Sequence, residues 1–118
     1  MQHLPERKKI RLPHNTYKQG NAFSITITTS GRYPWFQLYP NLAVKFIQLC
    51  IEEAEKREAS LFAWCVMPDH VHLLLTPLYS WNLSKILQGI KGYTSREINK
   101  LLNRKGSFWQ DERADKIL

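Results

Sequence analysis

Two alternating runs joined by a Pro-Asp step constrain this chain more than any other feature. In Ser60–Met67, Phe62, Trp64 and Val66 alternate with Leu61, Ala63 and Cys65. In His70–Leu75, His70, His72 and Leu74 alternate with Val71, Leu73 and Leu75. Successive side chains of a β-strand point to opposite faces, so each run reads as a strand. Pro68-Asp69 is a turn signal, and the two strands are expected to form a hairpin. The first is apolar on both sides, as in a strand that is well covered. The second places two imidazoles on one face, roughly 6.5–7 Å apart along the chain. Imidazole is the commonest protein metal ligand, and two at this spacing can converge on one ion. The plainer reading is a half-buried strand with two surface histidines, and the remaining elements decide between the two.

Phe23, Ile25 and Ile27 alternate with Ser24, Thr26 and Thr28, which predicts a first strand closed by a loop at Ser30–Pro34. Asn41, after Pro40, is the expected N-cap of a helix running to about Arg57. Leu42, Phe46, Leu49, Cys50 and Ala54 form its apolar stripe, with Lys45, Gln48, Glu52, Glu55 and Lys56 on the polar side. Asn82 or Ser84 is expected to cap a second helix ending near Lys105-Gly106. Its stripe is Leu83, Ile86, Leu87, Ile90, Thr94, Ile98 and Leu101, with Lys91 and Tyr93 on the flanks and Lys85, Arg96 and Lys100 near the opposite side. Gly89 and Gly92 weaken that helix by roughly 1 kcal/mol each relative to Ala, and so mark close approach of a backbone or a ligand. Ser107–Gln110 begins a last extended segment.

The order strand, helix, strand, strand, helix, strand is satisfied by one antiparallel sheet with both helices on one face. Right-handed crossovers then give an α+β, ferredoxin-like βαββαβ fold in which the first strand and the histidine strand are central neighbours. Phe23, Ile25, Ile27, Val71, Leu73 and Leu75 would face the helices. Ser24, Thr26 and Thr28 would lie beside His70 and His72 on the other face. A polar sheet face with two histidines at its centre reads as the floor of a site and favours the metal reading.

The 118 residues make one domain, with residues 1–20 as a basic N-terminal arm. Of a formal net charge of +7, residues 1–20 hold five Lys/Arg against one Glu, and residues 82–105 hold six against one, around a nearly neutral middle. Such a distribution points to nucleic acid. Arg7, Lys8, Lys9 and Arg11 are the first candidates for phosphate contact, and Lys91 the next. Trp64 and Trp109 could stack on bases, although burial in the core is the commoner fate of such residues. Cys50 and Cys65 sit in apolar segments and read as buried thiols, not a disulfide framework. With no apolar run of membrane length and no secretory signal, the expectation is a cytoplasmic protein without a membrane partner.

Met67-Pro68-Asp69-His70-Val71-His72-Leu73-Leu74-Leu75 resembles the His-hydrophobe-His (HUH) motif of single-tyrosine transposases, nearest to the REP-associated tyrosine transposases of bacteria. Further matches follow in chain order. Arg11-Leu12-Pro13 with Tyr17, Gly20 and Phe23-Ser24-Ile25-Thr26 is similar to the family's entry into its first strand. Lys91-Gly92-Tyr93-Thr94-Ser95 resembles its second-helix signature. Phe108-Trp109-Gln110-Asp111-Glu112 with Asp115 and Ile117-Leu118 resembles its last-strand motif. The resemblance implies single-stranded or hairpin DNA as substrate and a divalent ion, Mg²⁺ or Mn²⁺, held by His70 and His72. It also implies nicking and rejoining through a phosphotyrosine, and in some members of the wider family homodimers that share active sites.

In that family the nucleophilic tyrosine lies on a helix after the last strand, usually with a polar third metal ligand nearby. None of Tyr17, Tyr33, Tyr39, Tyr79 and Tyr93 falls at that position. Tyr93 reads first as a packing or DNA-contacting residue and only second as a substitute nucleophile, since its helix should lie away from the histidines. Asp69, one residue before His70, would point to the other face if it were in the strand. Three readings follow: a DNA transposase-type endonuclease and strand transferase, a non-catalytic or truncated hairpin-DNA-binding remnant of one, and a small metal- or metabolite-binding domain without nucleic acid.

Overall fold

The computed structural model describes residues 22–78 and 82–111 and the backbone of 116–117. Its elements are β1 (Phe23–Thr28), α1 (Trp35–Leu38), α2 (Pro40–Lys56), β2 (Ala59–Val66), β3 (His70–Pro77), α3 (Leu83–Leu102) and β4 (Lys116–Ile117). The sheet order is β2-β3-β1-β4, and every paired neighbour is antiparallel. This is the expected ferredoxin-like arrangement, with β1 and β3 at the centre.

Register follows from the apolar alternation. Ile25 pairs with Leu73 and Ile27 with Val71, and all four are buried in one core with Phe46, Leu49, Ile86, Ile90 and Ile98 of the two long helices. A shift of one residue would turn this whole set to the open side. Hence Thr26 opposes His72 and Thr28 opposes His70 on the face without helices.

Several local expectations are corrected. Pro40, not Asn41, opens α2, because proline at the first helical position has its backbone angle preset and no N–H to lose, and the short α1 precedes it. Along α3 the stripe is buried as far as Ile98, but Leu101 is 59 % exposed because the helix stops one residue later, at Leu102. Asn103, left-handed at φ 51°, ends it, earlier than Lys105-Gly106. Asn82 does cap its start, accepting from the Lys85 N–H at 2.8 Å. In β2 an irregularity between Leu61 and Ala63 breaks the alternation, so Leu61 and Trp64 both pack into the core. Cys65 is exposed, not buried, and opposes His72 on the open face. Cys50 is buried as expected, and burial pushes its thiol well up from the ordinary value.

After α3 the chain forms a bridge between Thr29 and Trp109, and β4 pairs with β1 at Ile25 and Thr26. Phe108 and Trp109 lie in the core, and the Trp109 indole N–H donates to Thr94 Oγ1 at 3.0 Å. Trp64 and Trp109 are therefore core residues and not a stacking surface.

Candidate metal and nucleic-acid site

β3 starts at His70, immediately after the hairpin turn, and carries both histidines onto the open face. Their rings approach edge to face, with centroids 4.9 Å apart and planes at 89°. Each ring is held through Nδ1. His70 Nδ1 lies 2.7 Å from Asp69 Oδ1, and His72 Nδ1 lies 3.1 Å from Thr26 Oγ1. A carboxylate only accepts, so His70 Nδ1 carries a proton, and in the neutral ring Nε2 then keeps the lone pair. The Thr26 hydroxyl can accept from His72 in the same way. No described residue bonds either Nε2. A neighbour that fixes the tautomer and orientation of an imidazole is the usual outer support of a metal ligand.

Asp69 was expected on the opposite face if it belonged to the strand. It lies outside the strand, in the turn, and its side chain reaches back to His70. Its carbonyl is clamped by the backbone N–H of buried Thr29 at 2.9 Å and by Thr29 Oγ1 at 3.1 Å. Its second carboxylate oxygen takes the Arg32 Nε–H at 3.0 Å. The hydrogen bond from His70, and after it the one from Arg32, hold the Asp69 carboxyl below the usual carboxylate range. Arg32 reaches that position through two successive left-handed residues, Gly31 at φ 66° and Arg32 itself at φ 57°. A non-glycine residue in this region is uncommon.

Burial, and then the neighbouring His70, lower the His72 pKa. The neutral imidazole, the form that can bind a metal, is thereby favoured. Beside His72 lies a depression of about 330 Å³ walled by Ser24, Ala63, Cys65 and Leu74. The two imidazoles suit a divalent ion by donor type and by their outer support. Among the described residues no group of three or more His, Cys, Asp or Glu forms a complete metal cluster.

The other candidates are placed as follows. Arg7, Lys8, Lys9 and Arg11 lie outside the described residues. Lys91 is 7 % exposed, and its Nζ donates to the Gln110 carbonyl at 3.0 Å, tying α3 to the segment after it. The Tyr93 hydroxyl donates to Glu52 Oε2 of α2 at 2.9 Å, within the helical layer. That bond, followed by burial and the charges of Glu52, Glu97 and Glu53, raises the Tyr93 pKa. This bond ties Tyr93 to α2 on the helical side, as its place on α3 implied. Asp69, Arg32 and Cys65 were not read as parts of the site.

No helix among the described residues is long and apolar enough to cross a membrane. A family model described as IS200-like transposase matches residues 19–113. Among solved structures, a protein from Deinococcus radiodurans assigned as a transposase superposes with a TM-score of 0.72 at 19 % identity, over 93 % of this chain and 85 % of that one. A REP-associated tyrosine transposase bound to a REP hairpin gives a TM-score of 0.64 at 16 % identity, over 98 % of this chain and 61 % of that one. No curated protein matches significantly. At such identities the two structures establish the fold alone. The family model spans most of the sequence and includes the histidine strand, and on that ground the chain belongs to the IS200-like transposase family.

Proposed function

We propose that this chain is a hairpin-DNA-binding transposase domain whose open sheet face holds a scissile phosphate through a divalent ion on His70 and His72. One observation carries the reading. Both Nδ1 atoms are engaged, by Asp69 and Thr26, so the two Nε2 atoms are the nitrogens available on the open face. The family match and the hairpin-bound neighbour support DNA as the partner.

The residues act as follows. Asp69 holds His70 in the tautomer whose Nε2 offers its lone pair to a metal, and Arg32 holds Asp69. Thr26 positions His72, and partial burial, then His70, favours the neutral form of that ring. An ion bound there, Mn²⁺ or Mg²⁺, would offset the negative charge that develops on the phosphate oxygens as the bond to the 3′ oxygen breaks. Histidine nitrogen suits Mn²⁺ better, so Mg²⁺ would depend more on DNA oxygens and water. A tyrosine hydroxyl attacks phosphorus, its oxygen forms the new P–O bond, and its proton ends on the released 3′ oxygen. Arg7, Lys8, Lys9 and Arg11 are assigned to phosphates flanking this point, and Lys91 to positioning the segment at Gln110.

The nucleophile is the open element. Tyr93 is bound to Glu52 in the helical layer, which favours a tyrosine supplied from elsewhere, including a second copy of the chain. The same observation supports the second reading, hairpin-DNA binding without cleavage. The test is a denaturing gel of the chain with labelled hairpin DNA and Mn²⁺, repeated with His70→Ala. A protein–DNA adduct that disappears in the variant is the expected result. DNA retained without any adduct selects the binding-only reading, and no retention at all rejects both.

A further inference from the structure

The large apolar side chains left exposed among the described residues are not scattered. Tyr33, Leu38, Tyr39 and Met67 lie around α1 and the hairpin turn, and only Leu101 lies elsewhere. α1 is pinned to that turn by the Phe36 N–H, which donates to the Pro68 carbonyl at 3.1 Å. Single exposed apolar residues are ordinary on a protein surface. Here the rings touch. The Tyr33 and Trp35 centroids are 4.6 Å apart, and those of Trp35 and Tyr39 are 5.9 Å apart with planes at 27°. Trp35, in the middle, is half-buried, whereas Tyr33 and Tyr39 at the two ends are 47 % and 50 % exposed. Neither tyrosine hydroxyl has a hydrogen-bond partner among the described residues.

The row begins beside the histidine pair. The Thr29 hydroxyl contacts the Tyr33 carbonyl at 2.8 Å and the Asp69 carbonyl at 3.1 Å. Arg32, next to Tyr33 in the chain, donates to the Asp69 carboxylate that holds His70. A cation is built into the row as well. The Arg104 guanidinium lies 5.6 Å over the Trp35 ring and is steadied by Asn99 Oδ1 at 2.7 Å. No carboxylate among the described residues pairs with it. The Asp69 carboxylate is already taken up by Arg32 and His70. Aromatic faces interleaved with arginine are how proteins hold single strands, because every base has a face to stack on. Continuity with the histidine pair and an arginine without a carboxylate favour a nucleic-acid strand over a protein partner.

We propose that Tyr33 and Tyr39, held apart by Trp35, stack bases of the single strand that leaves the histidine pair, with Arg104 as the cation beside them. The proposal rests on the DNA reading above and adds a path for the strand, along which bases are held as well as phosphates.

The experiment uses the full chain and a hairpin flanked by single strands, either intact or with abasic sugars in place of the flanking nucleotides. Affinities are measured over a range of salt for the wild type, for Tyr33→Ala/Tyr39→Ala and for Tyr33→Phe/Tyr39→Phe, with circular dichroism confirming the fold. Loss of both rings should weaken binding of the intact probe about a hundredfold, roughly tenfold for each stack. The salt slope should not change, because no cation is removed. The phenylalanine variant should bind as the wild type does, and the abasic probe should not distinguish the three proteins. Wild-type affinity in the alanine variant would overturn the proposal, and so would equal weakening on the abasic probe or in the phenylalanine variant. An alanine variant that changes oligomeric state while keeping its DNA affinity would assign the rings to a second copy of the chain instead. If the wild type binds neither probe, the DNA reading itself fails and the stacking assignment with it.

Discussion

Asp69 shows how much the site depends on one rotamer. It donates nothing to the open face, yet its 2.7 Å contact sets the tautomer of His70. Removal of such an outer partner typically costs 10- to 100-fold in metal affinity. Asp69→Ala should therefore weaken Mn²⁺ binding by about that factor while leaving the far-ultraviolet circular dichroism unchanged. Calorimetric titration with Mn²⁺ would show it, and an unaltered affinity would remove Asp69 from the site. The sequence made His70 and His72 legible because strand alternation alone puts them on one face. Thr26 was legible as well, because register follows from the apolar sets. The role of Asp69 was not, since it depends on where the strand begins, and that differs by one residue between the two outcomes. Arg32 was beyond reach, because its path to Asp69 runs through a left-handed backbone at φ 57° that nothing in its side chain announces.

At the scale of elements, α3 has the most to test. Gly92 is helical and meets only an arginine tip at 3.7 Å, an ordinary contact. Gly92→Ala should raise stability by about 0.5–1 kcal/mol through helix propensity and a less flexible unfolded chain. Gly89→Ala should yield less. Its Cβ must displace the Arg57 guanidinium at 2.8 Å, which disturbs the ion pair with buried Glu53. Urea unfolding of the two variants separates them, and equal gains would mean that Arg57 makes no useful contact there. The amphipathic stripes of α2 and α3 were legible from their period. The end of α3 was not, because Asn103 can close a helix as well as Gly106 can, and which one does is decided by the chain turning toward Phe108. In β2 the alternation itself misled, since an irregularity at Phe62 leaves no mark in an apolar run.

For the molecule as a whole, the sheet separates an apolar layer from a polar face, and the polar face links stability to pH. Both Asp69 and His72 have folded-state pKa values below their ordinary ones. In each case the unfolded chain binds protons more readily, so stability rises with pH across the interval between the two values. For His72 that contribution is fully present above the ordinary imidazole value of about 6.5 and is lost as the pH falls from there through the folded value. His72→Gln should therefore flatten the stability profile just below pH 6.5, measured by urea unfolding at fixed pH. An unchanged slope would show that His72 is no better solvated in the unfolded chain. Element order gave the ferredoxin-like topology without difficulty, because few folds accept two amphipathic helices between strands with a single apolar face. The close approach at Gly89 is made by the Arg57 guanidinium at the end of α2, neither a backbone nor a ligand, and was not visible from sequence because it joins two elements.

The central claim is that His70 and His72 together ligate one divalent ion on the open face. Pulsed electron paramagnetic resonance of the Mn²⁺-loaded chain tests it most directly, because it detects nitrogen bound to the ion. The wild type should show coupling to two imidazole nitrogens, and His70→Ala and His72→Ala should each show one. Absence of nitrogen coupling, or a signal that neither substitution alters, would contradict the claim.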